Sequence, residues 1–293
     1  MSSQSMESPE SVMPVSLYGY EVIDLLGEGA GSMIYAASDP ATNQIYALKH
    51  VAVKGEKDQR FVEQLINEFE IGVKINHPLL RRCVDLKLTK TLLRKVIDAV
   101  LVMELVEGTN CETRPPTDLA LLVDVFHQTA TALDALHQLN FVHCDLKPNN
   151  ILVTVDGRVK IIDLGQACPI GSVKKRIQGT PDFISPEQVR CEPVTIQTDV
   201  YNLGATFYWL LSGAKLPTLF TVKKSRNSFL VADAIPQPHQ LNPKVPENLS
   251  NLVMECVRIT PFKRPANMRE LCRRLEIIRL TLPGNNESSA MMA

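Results

Sequence analysis

Val142-His143-Cys144-Asp145-Leu146-Lys147-Pro148-Asn149-Asn150 is the stretch on which the reading of this 293-residue chain turns. It runs into the strand-like Ile151-Leu152-Val153, an Asp156-Gly157 turn, and a second apolar run, Val159 to Ile162, that ends on Asp163-Leu164-Gly165. A lone His-x-Asp or a lone Asp-Leu-Gly is an ordinary loop. The two in this order, separated by a strand, a turn and another strand, are not coincidental.

Upstream, from Tyr18 to about Val106, the pattern is strand-rich. Tyr20 to Leu26, Met33 to Ala37 and Ile45 to Val51 are β-branched or aromatic runs divided by turn signals. Phe61, Val62, Leu65, Ile66, Phe69 and Val73 recur at helical spacing until Asn76-His77-Pro78 ends the segment. Past Gly108 the texture becomes helical: Leu119, Leu122, Val123, Phe126, Ala130, Leu133 and Leu136 form one apolar stripe. Val200 to Leu211 is apolar nearly all round and is expected at the centre of its lobe. The fold class is α+β, a small β lobe joined to a larger α lobe with a cleft between them, and clefts between domains are common ligand sites. Gly27-Glu28-Gly29-Ala30-Gly31 lies between two strand-like runs, where backbone amides can approach phosphate oxygens without a Cβ in the way. Ala47-Leu48-Lys49 sits on the next strand but one, from which the lysine could reach phosphates, and the helix offers Glu68 as its carboxylate partner.

Here the pattern resembles the catalytic loop and metal-binding triplet of the protein kinase family, most closely its eukaryotic-like (Hanks-type) serine/threonine members of bacterial type. The resemblance covers Tyr18 to about Leu282. It implies a two-lobed kinase fold, with residues 18–106 the ATP-binding lobe, 107–283 the lobe of the catalytic loop and activation segment, and 1–17 and 284–293 disordered tails. It implies Asp145 as the base that accepts the substrate hydroxyl proton, Asn150 and Asp163 as Mg²⁺ ligands, and Lys147 on the transferring phosphate. Gly179-Thr180-Pro181 and Ser185-Pro186-Glu187 resemble the end of an activation segment. Thr180 is expected near Asp145 and Lys147 and favours Ser/Thr over Tyr substrates. ATP is implied to contact Leu26, Gly27, Gly29, Gly31, Ile34, Ala47, Lys49, Glu68, Met103, Glu104, Val106 and Leu152, with the Glu104 and Val106 backbone toward adenine and Met103 behind it. Glu70 competes with Glu68 for Lys49, and the distance to His77-Pro78 favours Glu68. Asp199 resembles the aspartate that holds the catalytic-loop backbone, and Arg264 the arginine that pairs with Glu187. Lys49 must then face Asp145, Asn150 and Asp163 across one nucleotide-sized gap.

The chain departs from the pattern in two places. Ser32 replaces the third glycine of the phosphate loop, with Ile34 in place of the usual valine. Cys144 stands where many relatives carry an arginine that pairs with a phosphorylated activation segment, which implies activation without that phosphate. Cys144 itself reads as a small buried thiol. Composition sets outer bounds: 31 Lys+Arg against 32 Asp+Glu give no field to gather nucleic acid. Seven scattered cysteines without CxxC spacing fit reduced thiols and a cytoplasmic location. The apolar runs Ala99–Met103 and Leu203–Leu211 are short of a membrane span, and direct extracellular sensing is not expected. The partners expected are proteins bearing Ser or Thr, the chain itself among them, and a scaffold without turnover and a small-molecule phosphotransferase are the rival readings.

Overall fold

The computed structural model describes residues 13–29, 31–224 and 235–282. The expected C-terminal tail, and the expected N-terminal tail up to residue 12, lie outside the described residues. The chain divides into two compact units: Met1–Phe69 with Cys83–Leu105, and Glu70–Arg82 with Val106–Ala293. They make up the α+β, two-lobed architecture expected from the sequence.

The first unit is an antiparallel six-stranded sheet. Its strands are β1 (Ser16–Leu17), β2 (Tyr20–Gly29), β3 (Ser32–Ser38), β4 (Ile45–Ala52), β5 (Cys83–Lys90) and β6 (Val96–Glu104), in spatial order β1-β2-β3-β4-β6-β5. Strand β1, paired Ser16 to Glu21 and Leu17 to Tyr20, falls inside the stretch expected to be tail. Alternation along β4 and β6 sends side chains to two faces. Ala47, Val51, Leu101 and Met103 pack with Val62 and Leu65 of helix α1 (Gln59–Gly72), while Leu48, Val100 and Val102 pack with Tyr35 and Ala37 on the other face. Val73, counted in the helical stripe from sequence, lies beyond the helix end and is exposed.

In the second unit, β7 (Gly108–Asn110) leads to α2 (Leu119–Gln138), whose N-cap Asp118 accepts from the Leu121 amide. Next come β8 (Phe141–Val142) and the hairpin of β9 (Ile151–Thr154) and β10 (Val159–Ile161), closed by the left-handed Gly157. Strand β11 (Cys168–Pro169) pairs with β8. Helices α3 (Pro186–Arg190), α4 (Ile196–Ser212), α5 (Leu219–Lys224), α6 (Pro238–Leu241), α7 (Glu247–Cys256) and α8 (Met268–Leu280) complete the unit. As its all-round apolarity requires, α4 is buried on nearly every side from Thr198 to Tyr208. Phe207 of α4 stacks on Phe126 of α2, ring centroids 4.1 Å apart.

Among the described residues, α2 alone is long and apolar enough by length and composition to cross a membrane, with 20 residues and a mean hydropathy of 1.2. The uninterrupted apolar runs named from sequence, Ala99–Met103 and Leu203–Leu211, do fall short of that length, and α2 is a further candidate by length and composition only. His127, Gln128, Thr129, Thr131 and Asp134 break the apolar run in sequence, yet the average still passes. Half of the segment is buried in the fold, where Leu122, Val125, Phe126, Leu133 and Leu136 join the core of this unit.

Gly204 shows how tightly α4 meets α7: a Cβ built there would lie 2.4 Å from the Cβ of Cys256. Alanine is the better helix former by about 1 kcal/mol, so a solvent-facing site would gain from the change. We expect Gly204→Ala to lose about 1–3 kcal/mol instead, because overpacking outweighs propensity; the midpoint of urea unfolding measures the sign.

Candidate active site

The polar string between β8 and β9 is held by one carboxylate. Asp199, in the first turn of α4 and fully buried, accepts from the His143 amide at 2.8 Å and the Cys144 amide at 2.9 Å. His137 Nε2, from the end of α2, donates to the same carboxylate at 2.8 Å. Burial acts to raise the Asp199 carboxyl, but the His137 hydrogen bond and the neighbouring histidine groups hold it below its ordinary range. Cys144 has φ +64° and Asp163 φ +65°, a region that side chains with a Cβ enter at a cost. His143 Nδ1 accepts from the Asp145 amide, and its Nε2 is buried without a hydrogen-bond partner among the described residues.

Above this anchor stand the side chains singled out from sequence. Lys147 Nζ donates to Thr180 Oγ1 at 3.1 Å, and Thr180 Oγ1 donates to Asp145 Oδ1 at 2.8 Å. Asp145 Oδ2 lies 3.6 Å from Lys147 Nζ. Burial pushes the Asp145 carboxyl above its ordinary range, the Lys147 charge and Thr180 hydroxyl pull it down, and nearby Asp163 adds to the rise. Asn150 Nδ2 donates to the Asp145 carbonyl at 2.8 Å, and the Ile162 amide donates to the Asn150 carbonyl at 3.0 Å. The hairpin thus brings Asn150, just before β9, level with Asp163, just after β10. The Gly165 amide donates to Asp163 Oδ1 at 3.2 Å.

Two features of this region carried no sequence signal. Gln188 of α3 donates to the Cys144 carbonyl at 2.6 Å and the Gln178 carbonyl at 3.2 Å, stitching the segment after Asp163 to the catalytic-loop backbone. Cys168 Sγ lies 3.8 Å from Cys144 Sγ. The pairing of Arg264 with Glu187 is seen: Nη1 and Nη2 meet the two carboxylate oxygens at 2.7 and 3.0 Å. Both side chains are almost wholly buried, and Thr198 and three backbone carbonyls satisfy their remaining groups.

In the first unit, Lys49 Nζ donates to Glu68 Oε2 at 2.7 Å, so Glu68 rather than Glu70 is the partner. Ile34 pairs with Lys49 across β3 and β4, and with Gly27 across β2 and β3. Gly29 pairs with Ser32. Gly31, at φ +81°, has the Phe61 ring 2.3 Å from where a Cβ would stand, so position 31 excludes any larger residue. Leu26 is exposed on β2, Ala47 and Met103 are buried as direct neighbours on β4 and β6, and Glu104 ends β6 opposite Tyr46. In the second unit, Val106 precedes β7, and Leu152 on β9 pairs with Asn110 and Lys160.

The Asp199 anchor has a pH signature. A carboxyl held below its ordinary value adds stability that is complete above the unfolded pKa of about 3.9 and is lost as pH falls through the lower folded value. Asp199→Asn should cost about 3 kcal/mol or more near neutrality and flatten the acid limb of a stability-versus-pH curve, read by denaturant midpoints at a series of pH values.

Comparison with known proteins agrees with the geometry. The protein kinase domain family matches residues 20–275. The serine/threonine-protein kinase PknA of Corynebacterium glutamicum is 29% identical over an alignment covering 100% of this chain and 63% of its own length. PrkC of Bacillus subtilis is 26% identical over 84% of this chain and 38% of its own length, and PknD of Chlamydia pneumoniae is 24% identical over 88% and 31%. The chain therefore spans from about a third to under two thirds of the length of these relatives. It belongs to the protein kinase family, in its eukaryotic-like (Hanks-type) serine/threonine group.

Proposed function

We propose that this chain transfers the γ-phosphate of ATP to serine and threonine hydroxyls of protein substrates. The observation that carries the reading is the hydrogen-bonded series Lys147, Thr180, Asp145. Thr180 occupies Asp145 Oδ1, which leaves Oδ2 to accept the proton of an incoming hydroxyl. A carboxyl raised by burial is a better proton acceptor than an exposed one. Lys147, 3.6 Å from that same oxygen, supplies positive charge where the transferring phosphoryl group gathers negative charge.

Asn150 commits its Nδ2 to the Asp145 carbonyl, so its amide oxygen is the group it can offer a hard cation. With the Asp163 carboxylate this is an oxygen donor set that suits Mg²⁺, which prefers one or two carboxylates completed by phosphate and water. Mg²⁺ bound there would neutralise charge on the ATP phosphates. Lys49, oriented by Glu68, is assigned to the α- and β-phosphates. Gly27, Gly29 and Gly31 would bring backbone amides to the phosphates, and Leu26, Ile34, Ala47, Met103, Glu104, Val106 and Leu152 would contact the nucleoside. All seven cysteines are free thiols, which supports a reducing, cytoplasmic location.

Incubation with Mg²⁺, ATP and a mixture of proteins, followed by intact-mass measurement and site mapping, tests the assignment. We expect phosphate on Ser and Thr, in substrates or in the chain itself, and none with Asp163→Ala. Equal incorporation by both proteins would reveal a contaminant, absence of incorporation by the parent would favour a scaffold, and transfer only to small hydroxyl compounds would favour the rival phosphotransferase.

Asp145→Asn should lower kcat by roughly 10²- to 10⁴-fold without loss of stability. A carboxyl raised in the folded state stabilises only at low pH, and that gain is lost as pH rises through the folded value. The asparagine variant should therefore unfold at neutral pH at a urea concentration equal to or above that of the parent.

A further inference from the structure

Cys144 and Cys168 form a small apolar cluster with Val142 and Val194 in the second unit. Their sulfurs are 3.8 Å apart, and the residues retain 2% and 7% exposure. The two thiols come from functionally different segments. Cys144 precedes the proposed base, while Cys168 lies on β11, five residues past Asp163. The backbone brings them together: Cys168 pairs with Val142 across β11 and β8, and the Ile170 and Gly171 amides donate to the Asn140 and Val194 carbonyls. A disulfide requires about 2.05 Å between sulfurs, so rotation of the side chains, with a shift of about 1.7 Å, converts contact into a bond.

We propose that Cys144 and Cys168 are a reversible disulfide site, closed by a hydroperoxide, that ties the catalytic loop to the start of the activation segment and slows phosphoryl transfer. Cys168 is the thiol that reacts first. It retains the greater exposure, and the hydrogen-bonding contact with the Cys144 thiol and the nearby Lys174 ammonium both favour its thiolate against the opposing effect of burial. The Cys168 thiolate attacks a peroxide oxygen, the O–O bond breaks, and the leaving alkoxide or hydroxide takes up a proton, which leaves Cys168 as a sulfenic acid. The Cys144 sulfur then attacks the Cys168 sulfur and the S–O bond breaks. Hydroxide departs with the Cys144 proton as water. Two thiols have lost two electrons and two protons, and the hydroperoxide has been reduced to an alcohol, or to water, with one further water released.

The effect on turnover follows from how Cys144 is held. Its amide is bound to Asp199 and its carbonyl to Gln188, so whatever part of the 1.7 Å side-chain rotation does not supply is taken up by β11 or by distortion of the loop that carries Asp145. Misplacing a catalytic group by about 1 Å costs up to 10²-fold in rate. This effect rests on the activity proposed above, whereas formation of the bond does not.

The test uses the full chain, reduced and then treated with hydrogen peroxide, with remaining thiols blocked before digestion without reductant. We expect an intact mass lower by two hydrogens, a fragment joining Cys144 to Cys168, and a fall in turnover of roughly tenfold or more that dithiothreitol reverses. Cys168→Ala should form no such fragment and keep its turnover under peroxide. A linkage between other cysteines, conversion of Cys168 to sulfinic acid with Cys144 still free, or a joined pair with unchanged turnover would overturn the proposal. If the reduced protein shows no turnover, the kinase assignment fails, and the mass measurement still decides whether the pair forms.

Discussion

A single carboxylate with no access to water organises the catalytic region. Asp199 receives two backbone amides of the polar string and a histidine from another helix. Charge-assisted hydrogen bonds of this kind are the strong ones, and their loss would leave a buried charge uncompensated. They also act where the backbone is least comfortable. Cys144 adopts a left-handed conformation that costs a residue with a Cβ about 1–2 kcal/mol, and the Cys144 amide is one of the groups that Asp199 binds. The strained turn directs Asp145 toward Thr180 and Lys147, so the anchor converts a fixed point in the core of α4 into a fixed direction for the side chain that follows Cys144.

A second constraint works from the opposite side of the same loop. Gln188 of α3 grips the Cys144 carbonyl and, through the Gln178 carbonyl, the stretch leading to Thr180. Asn202 of α4 donates to both Gln188 Oε1 and the Phe183 carbonyl. One residue of the catalytic loop is therefore tied at its amide and at its carbonyl to two helices. The positions of Asp145 and Thr180 consequently depend on the packing of α3 on α4 as much as on local turn geometry.

What could be read from the sequence was what depends on neighbours in the chain. The β9–β10 hairpin was legible because an Asp-Gly turn between two apolar runs specifies it, and the hairpin alone brings Asn150 to the level of Asp163. Helix α4 was legible because a segment apolar on every face has nowhere to go but the interior. Lys49 with Glu68 could be anticipated because a strand and the helix after it present them 19 residues apart. Gln188, His137 and Cys168 could not be found that way. Their partners lie 44, 62 and 24 residues off, and neither amide, imidazole nor thiol has a periodicity that marks it. Strand β1 was missed for a related reason: two residues are too few to show an alternation, and only their pairing with Tyr20 and Glu21 defines them.

The Glu187 to Arg264 pair closes a span of 77 residues. During synthesis the ribosome delivers the helix with the carboxylate well before the guanidinium that matches it. Until then Glu187 can be buried only as a lone charge or left in water, with α3, and hence Gln188 and its hold on the catalytic loop, unseated. The seating of α3 in the helical lobe is thereby tied to a residue made 77 positions later.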